Sequence, residues 1–138
     1  MLKLAFASSD RTRVNQHFGA AEGFVIYEAT PASRALVAVG DFPAEAMDGN
    51  EDKLAAKVDF LQGCDAVFVM AIGASAIKQL LAANIQPIRI VGSDRIDELL
   101  EEVQQAMQEG GVPWVDRALS RRKSGQRFDA MEEEGWTG

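Results

Sequence analysis

"DAVFVMAIGASAIKQLLAANIQPIRIVG", residues 65–92, decides the fold. "DAVFVMA" is a near-continuous apolar run, and a strand of that kind is usually covered on both faces. "IGAS" then opens a helix through "SAIKQLLAAN", and "QPIRIVG" reads as the next strand. Strand, helix and strand in succession make a parallel crossover, and such crossovers are right-handed. A sheet with helices packed against it follows.

The flanks extend this unit. "LKLAFA" (2–7) reads as a buried strand, followed by the polar loop "RTRVNQHFGAA". "GFVIYEA" and "RALVAVGDF", joined by the turn chemistry of "TPAS" (30–33), read as a hairpin. After the loop "PAEAMDGN" (43–50), Leu54, Val58 and Leu61 recur at helical spacing. Gly63 then stops the helix, while Asn50 is its expected N-cap with Glu51 and Asp52 in the first turn. Downstream, Ile96, Leu99, Leu100, Val103 and Met107 form one apolar stripe of a strong helix.

The order β β β α β α β α predicts an α/β, ribonuclease-H-like domain. Its mixed five-stranded sheet has order 3-2-1-4-5, with helices on both faces. This domain is expected over residues 1–117. Pro113 and Trp114 break the pattern, and residues 118–138 read as a charged C-terminal tail, mobile or packed through Trp114, Phe128 and Trp136.

Composition narrows the function. The chain has 138 residues, of which 47% are hydrophobic, enough for a core without disulfides or structural metal. A net charge of -7 argues against nucleic acid or an anionic membrane as partner, so an anionic ligand needs a local basic site. Cys64 is the single cysteine, which excludes an internal disulfide and an iron–sulfur site of four cysteines from one chain. It also fits a reducing compartment. The N-terminus lacks a signal-peptide layout and no apolar stretch spans a bilayer, so a cytoplasmic location is expected.

In open α/β sheets ligands settle beyond the carboxyl ends of the strands. Two loops qualify. "SSDRTRVNQHFG" brings Arg11, Arg13, Asn15, Gln16, Phe18 and the chain's single histidine, His17; "AIGAS" brings Gly73 and the free N–H groups of Ala74 and Ser75. Taken alone, His17 suits a solvated or capping role as well as a ligand, and "IGAS" suits a plain turn. Cys64 reads as a small buried hydrophobe, and the acidic residues Asp94, Asp97, Glu98, Glu101 and Glu102 as a solvated helix face. Strand ends without paired carboxylates fit a two-metal nuclease poorly. No phosphate-binding GxxxxGK[ST] loop or nucleophile elbow is present, and one His with one distant Cys is too little for a zinc site. The residues describe a binder more than a catalyst, although a hydrolase descended from a nuclease-like fold stays open.

"LKLAFASSDRTRVNQHFG", "FVIYEA", "DGNEDKLAAKVDFLQGCDAVFVMAIGASAIKQLLAANIQPIRI" and "RFDAMEEEGW" resemble the nitrogenase cofactor-biosynthesis proteins of the NifX/NafY/NifY group, nearest the NifX branch. The resemblance spans essentially the whole chain. It implies a ribonuclease-H-like fold and no enzymatic activity. It also implies transient binding of an iron–sulfur precursor of the iron–molybdenum cofactor, or of the cofactor itself. The partners it implies are the radical-SAM synthase of the precursor, the scaffold on which the cofactor matures, and apo-dinitrogenase. It maps a cofactor-binding loop histidine onto His17, the expected metal ligand, with Arg11, Arg13 and "IGAS" supplying positive potential and Phe18 shielding one side. Lys53 and Lys57 are further candidate charges. A protein–protein adaptor without direct cluster ligation is the alternative reading, motivated by the acidic helix and the charge-segregated tail.

Overall fold

The computed structural model describes the backbone of residues 1–42 and 51–135, and the side chains of these except 51–53 and 125–135. The expected loop at 43–50, the Asn50 cap and the roles considered for Glu51, Asp52, Lys53, Phe128 and Trp136 lie outside the described residues. The elements are β1 (Leu2–Ala7), β2 (Gly23–Ala29), β3 (Arg34–Asp41), α1 (Glu51–Phe60), β4 (Ala66–Val69), α2 (Ala74–Ala82), β5 (Gln86–Arg89), α3 (Ile96–Glu109) and α4 (Pro113–Gly135).

The five strands form one sheet in the expected order, β3-β2-β1-β4-β5. β1 pairs antiparallel with β2, from Leu2 opposite Ala29 to Ala7 opposite Phe24. It pairs parallel with β4, from Leu4 opposite Ala66 to Phe6 opposite Phe68, and β4 pairs parallel with β5. The β2–β3 turn is closed by Thr30, whose Oγ1 accepts from the N–H of Ser33 at 2.9 Å. A register shift beside Ile26 and Tyr27 leaves Val37 as an extra residue on the edge strand β3.

Side-chain alternation explains the apolar runs. Leu2, Leu4, Phe6, Ala66 and Phe68 lie on one face with α3 and α4, and Phe6 stacks on Phe68 at 4.9 Å between centroids. Ala5, Ala7, Val67 and Val69 lie on the other face, under Val58 and Leu61 from α1 and its C-terminal turn and Ala76 and Leu80 of α2. Both faces are covered, so both parities along β1 and β4 are apolar. Gly63, at φ +89, turns the chain after α1 as the sequence predicts.

One element was missing from the predicted order. Pro113 does not merely interrupt a helix; it starts α4 after two glycines with positive φ, Gly110 and Gly111. Proline suits this position because its absent N–H is not needed in a first turn. Asp116 Oδ2 accepts from the Gly111 N–H at 3.1 Å and steadies the turn. Trp114 meets Phe68 edge-on, and Val115 and Ala118 are buried. The segment from residue 118 onward therefore begins inside α4. Arg122 Nε donates to Asp65 Oδ2 at 2.8 Å, and Arg121 donates to the Asn84 carbonyl at 3.3 Å.

Candidate functional site

The loop after β1 is built by short-range hydrogen bonds. Ser8 Oγ accepts from the Arg11 N–H at 2.9 Å, and Asp10 Oδ1 accepts from the N–H groups of Thr12 and Arg13 at 2.8 and 2.9 Å. The Arg13 and Thr12 N–H bonds hold the Asp10 carboxyl below its usual range. This tight turn places Arg11 at φ 65, uncommon for a residue with a Cβ.

The chain then crosses the sheet edge. Val14 N–H donates to the Asp94 carbonyl at 2.8 Å, and Asn15 N–H to the Ala7 carbonyl at 3.2 Å. Met70 N–H donates to the Gln16 carbonyl at 3.0 Å, and Phe18 N–H to the Ala71 carbonyl at 2.9 Å. Residues 16–18 thus lie against the carboxyl end of β4, with His17 exposed between two bonded neighbours. The Phe18 and Gly19 carbonyls accept from Lys57 Nζ at 3.4 and 2.7 Å.

Two residues beyond Ala71, Gly73 is the N-cap of α2, with no side-chain cap. The first-turn N–H groups of a helix have no acceptor within it and attract anions. Gly73 has an ordinary φ of -86, and a Cβ built there meets nothing within 4 Å. Its glycine is therefore not required by the backbone, and the space before the helix is open. Gly73, Ala74 and Ser75 are all exposed.

The structure thus brings His17, Asn15 and Gln16 to the same sheet edge as Gly73, Ala74 and Ser75. Asn15 and Gln16 are mostly occupied in shaping the loop: Asn15 Oδ1 accepts from the Ser9 N–H, and Gln16 Oε1 accepts from the Glu22 N–H. Three expectations need correction. Phe18 does not cover the site from outside; it is fully buried, 5.6 Å from Phe24 between ring centroids, because the inward side of this segment completes the α1/α2 core. Arg13 does not offer a free charge, since its guanidinium pairs with Asp94 at 2.9 Å. Arg11 lines a separate hollow of about 180 Å³ with Ser8, Ser9, Glu22 and Asp41, and neither His17 nor Gly73 is in its lining.

Of the two further candidate charges, Lys53 and Lys57, the structure describes the side chain of Lys57. It stands within the Leu54–Val58–Leu61 stripe, at i+3 from Leu54, and that position was the available signal. Cys64 lies elsewhere. It precedes β4, at the opposite end of the strand from His17, and burial pushes its thiol up to about 11. Among the described residues no group of three or more His, Cys, Asp or Glu side chains is placed to hold a metal ion. An apolar hollow of about 240 Å³ between β5, α3 and α4 has Trp114 and Val91 in its lining and lies apart from these groups. No helix among the described residues is long and apolar enough to cross a membrane.

The chain is similar to known proteins. The chain is 48% identical to protein NifX of Azotobacter vinelandii over 138 residues, covering 99% of this chain and 87% of that protein. It is 32% identical over 129 residues to the FeMo cofactor biosynthesis protein NifB of the same organism, covering 88% of this chain and 25% of that protein. The apo form of the orange protein from Desulfovibrio gigas shares the fold, with a TM-score of 0.54 at 21% identity over 80% of this chain and 89% of that one. A profile described as dinitrogenase iron-molybdenum cofactor matches residues 1–106, and the chain belongs to that family.

Proposed function

We propose that this protein is a cytoplasmic, non-catalytic carrier that receives, holds and passes on an anionic iron–sulfur precursor of the iron–molybdenum cofactor, or the finished cofactor. The observation that carries this reading is an exposed histidine pinned on both sides by main-chain bonds, at the sheet edge where an uncapped helix begins. A preassembled cluster brings its own sulfides, so its carrier does not need a cage of four thiolates. One neutral imidazole is a competent iron ligand, and a single protein ligand also permits release. The α2 N-terminus favours negative charge at this edge. The similarity to NifX and NifB supports the same cargo class. The partners are then the radical-SAM synthase that supplies the precursor, the maturation scaffold, and apo-dinitrogenase.

Anaerobic titration with purified precursor cluster tests the reading. Wild type binds, and His17→Ala weakens binding tenfold or more (about 1.4 kcal/mol) with loss of the nitrogen-ligand signature in the cluster's spectrum. Unchanged affinity and spectrum in His17→Ala would remove His17 as ligand. Absence of binding by wild type would leave the adaptor reading, which the exposed acids Asp97, Glu98, Glu101 and Glu102 on α3 favour as a surface for a basic partner.

A further inference from the structure

α1 turns Leu54, Lys57, Val58 and, just past its end, Leu61 toward the sheet, so a lysine occupies a core position. Lys57 is 3% exposed. Its ammonium donates to the carbonyls of Gly19 and Phe18 and lies 5.9 Å from the centroid of the Phe42 ring. Among the described residues it forms no ion pair with a carboxylate. Hiding an ammonium costs free energy unless its donors are used, and burial pushes its pKa down. A methionine or leucine would fill the same stripe without that cost. Packing therefore does not account for the lysine, but the loop does.

We propose that Lys57 is a positioning residue for cargo binding, its ammonium clamping the Phe18 and Gly19 carbonyls so that His17 is held outward beside the α2 N-terminus. The proposal rests on the carrier reading of His17. Main-chain bonds to Met70 and Ala71 hold Gln16 and Phe18, on either side of His17. Beyond it the chain turns through exposed Gly19, where a Cβ would meet nothing within 4 Å; the Ala21 N–H bond to the Phe18 carbonyl closes this turn at 3.3 Å, and the Lys57 clamp ties it to α1. With the clamp, the imidazole is presented before cargo arrives, and the ordering cost of binding falls. Lys57 acts through His17 and touches no cargo.

The test is a double-mutant cycle read by two methods. Wild type, Lys57→Met, His17→Ala and the double variant are titrated anaerobically with purified precursor cluster. Amide hydrogen exchange is followed in the cluster-free proteins. Lys57→Met keeps the far-ultraviolet circular dichroism and the exchange protection of the central strands. Its amides at residues 18–20 exchange about tenfold faster. Its cluster affinity falls about tenfold in the wild-type background but less than about twofold when His17 is already alanine. Equal losses in both backgrounds would mean a general charge effect and overturn the positioning role. Normal cluster binding with unchanged exchange at 18–20 would overturn the clamp alone. Absence of cluster binding by wild type would overturn the carrier reading and this role with it. If Lys57→Met does not fold, Lys57→Leu, which likewise removes the donors, gives the same readings.

Discussion

The two ends of the parallel strands treat buried charge in opposite ways. Ahead of β4, Asp65 is 5% exposed and accepts from the Lys3 N–H and from Arg122 Nε, both at 2.8 Å. Arg122 also donates to the Gly63 carbonyl at 3.0 Å, so cation, anion and backbone satisfy one another. Beyond β4, Lys57 meets neutral carbonyl oxygens, α2 starts without a side-chain cap, and His17 is exposed. One end is closed on itself and electrically balanced. The other keeps positive charge and unused donors. Stability and reception are assigned to opposite edges of one sheet, and substitutions at the two edges are expected to separate them.

The largest effect is expected at the closed end. Asp65→Ala leaves Arg122 without its carboxylate and the Lys3 N–H without its acceptor, 57 residues apart in sequence from the helix it anchors. Removing one partner of a buried pair costs about 3–5 kcal/mol, and with Arg122 29% exposed the low end, about 3 kcal/mol, is expected. Urea denaturation is expected to show that loss, while cluster affinity at 25 °C stays at the wild-type value. A loss below about 1 kcal/mol would mean the pair is a surface contact in energetic terms, and the contrast between the ends would collapse.

Cys64 gives the next effect, through pH. Its thiol is raised to about 11 from the ordinary 9.0, chiefly by burial. The folded state therefore keeps a proton that the unfolded chain gives up above pH 9. Folding stability from this group is fully present below pH 9 and is lost as pH rises toward 11, by roughly 2–3 kcal/mol across that window. Stability curves of wild type and Cys64→Ala are expected to converge over this interval. Parallel curves would mean that the thiol is not buried as a neutral group. Alkylation of the folded protein at pH 8 is expected to be slow for the same reason.

Much of the closed architecture was legible in the sequence, because strands buried on both faces read as apolar runs and crossovers have one hand. α4 was not, because its apolar contacts amount to Trp114, Val115, Ala118 and Leu119 before a long polar stretch. Its anchor, Arg122, reaches a carboxylate 57 residues earlier, a pairing that no local pattern announces. The candidate site was legible as two loops at one edge. The direction of each side chain within them was not. Phe18 follows an exposed histidine and fills the core, while Arg13 pairs with Asp94, 81 residues away. Lys57 carried a signal that the usual exposure of lysine obscured: a charge inside an apolar stripe marks a buried partner.

The smallest effect belongs to the open end and tests whether its geometry favours reception over stability. Arg11 sits at φ 65, and among the described residues its guanidinium makes no hydrogen bond or ion pair. An L-residue in that region costs about 1–2 kcal/mol relative to glycine's ease there, and glycine returns about 0.5–1 kcal/mol as unfolded-chain entropy. The Arg11 N–H bond to Ser8 Oγ survives the substitution, since it belongs to the main chain. Arg11→Gly is therefore expected to stabilise the fold by about 0.5 kcal/mol. Because the arginine lines a hollow shared with Glu22 and Asp41, its loss is expected to weaken cluster binding only about threefold at low salt, and less at high salt. Denaturation and titration on the same variant check both halves. A destabilised Arg11→Gly would show that the turn relies on this side chain, and the strain at this edge would then have a structural origin instead of a receptive one.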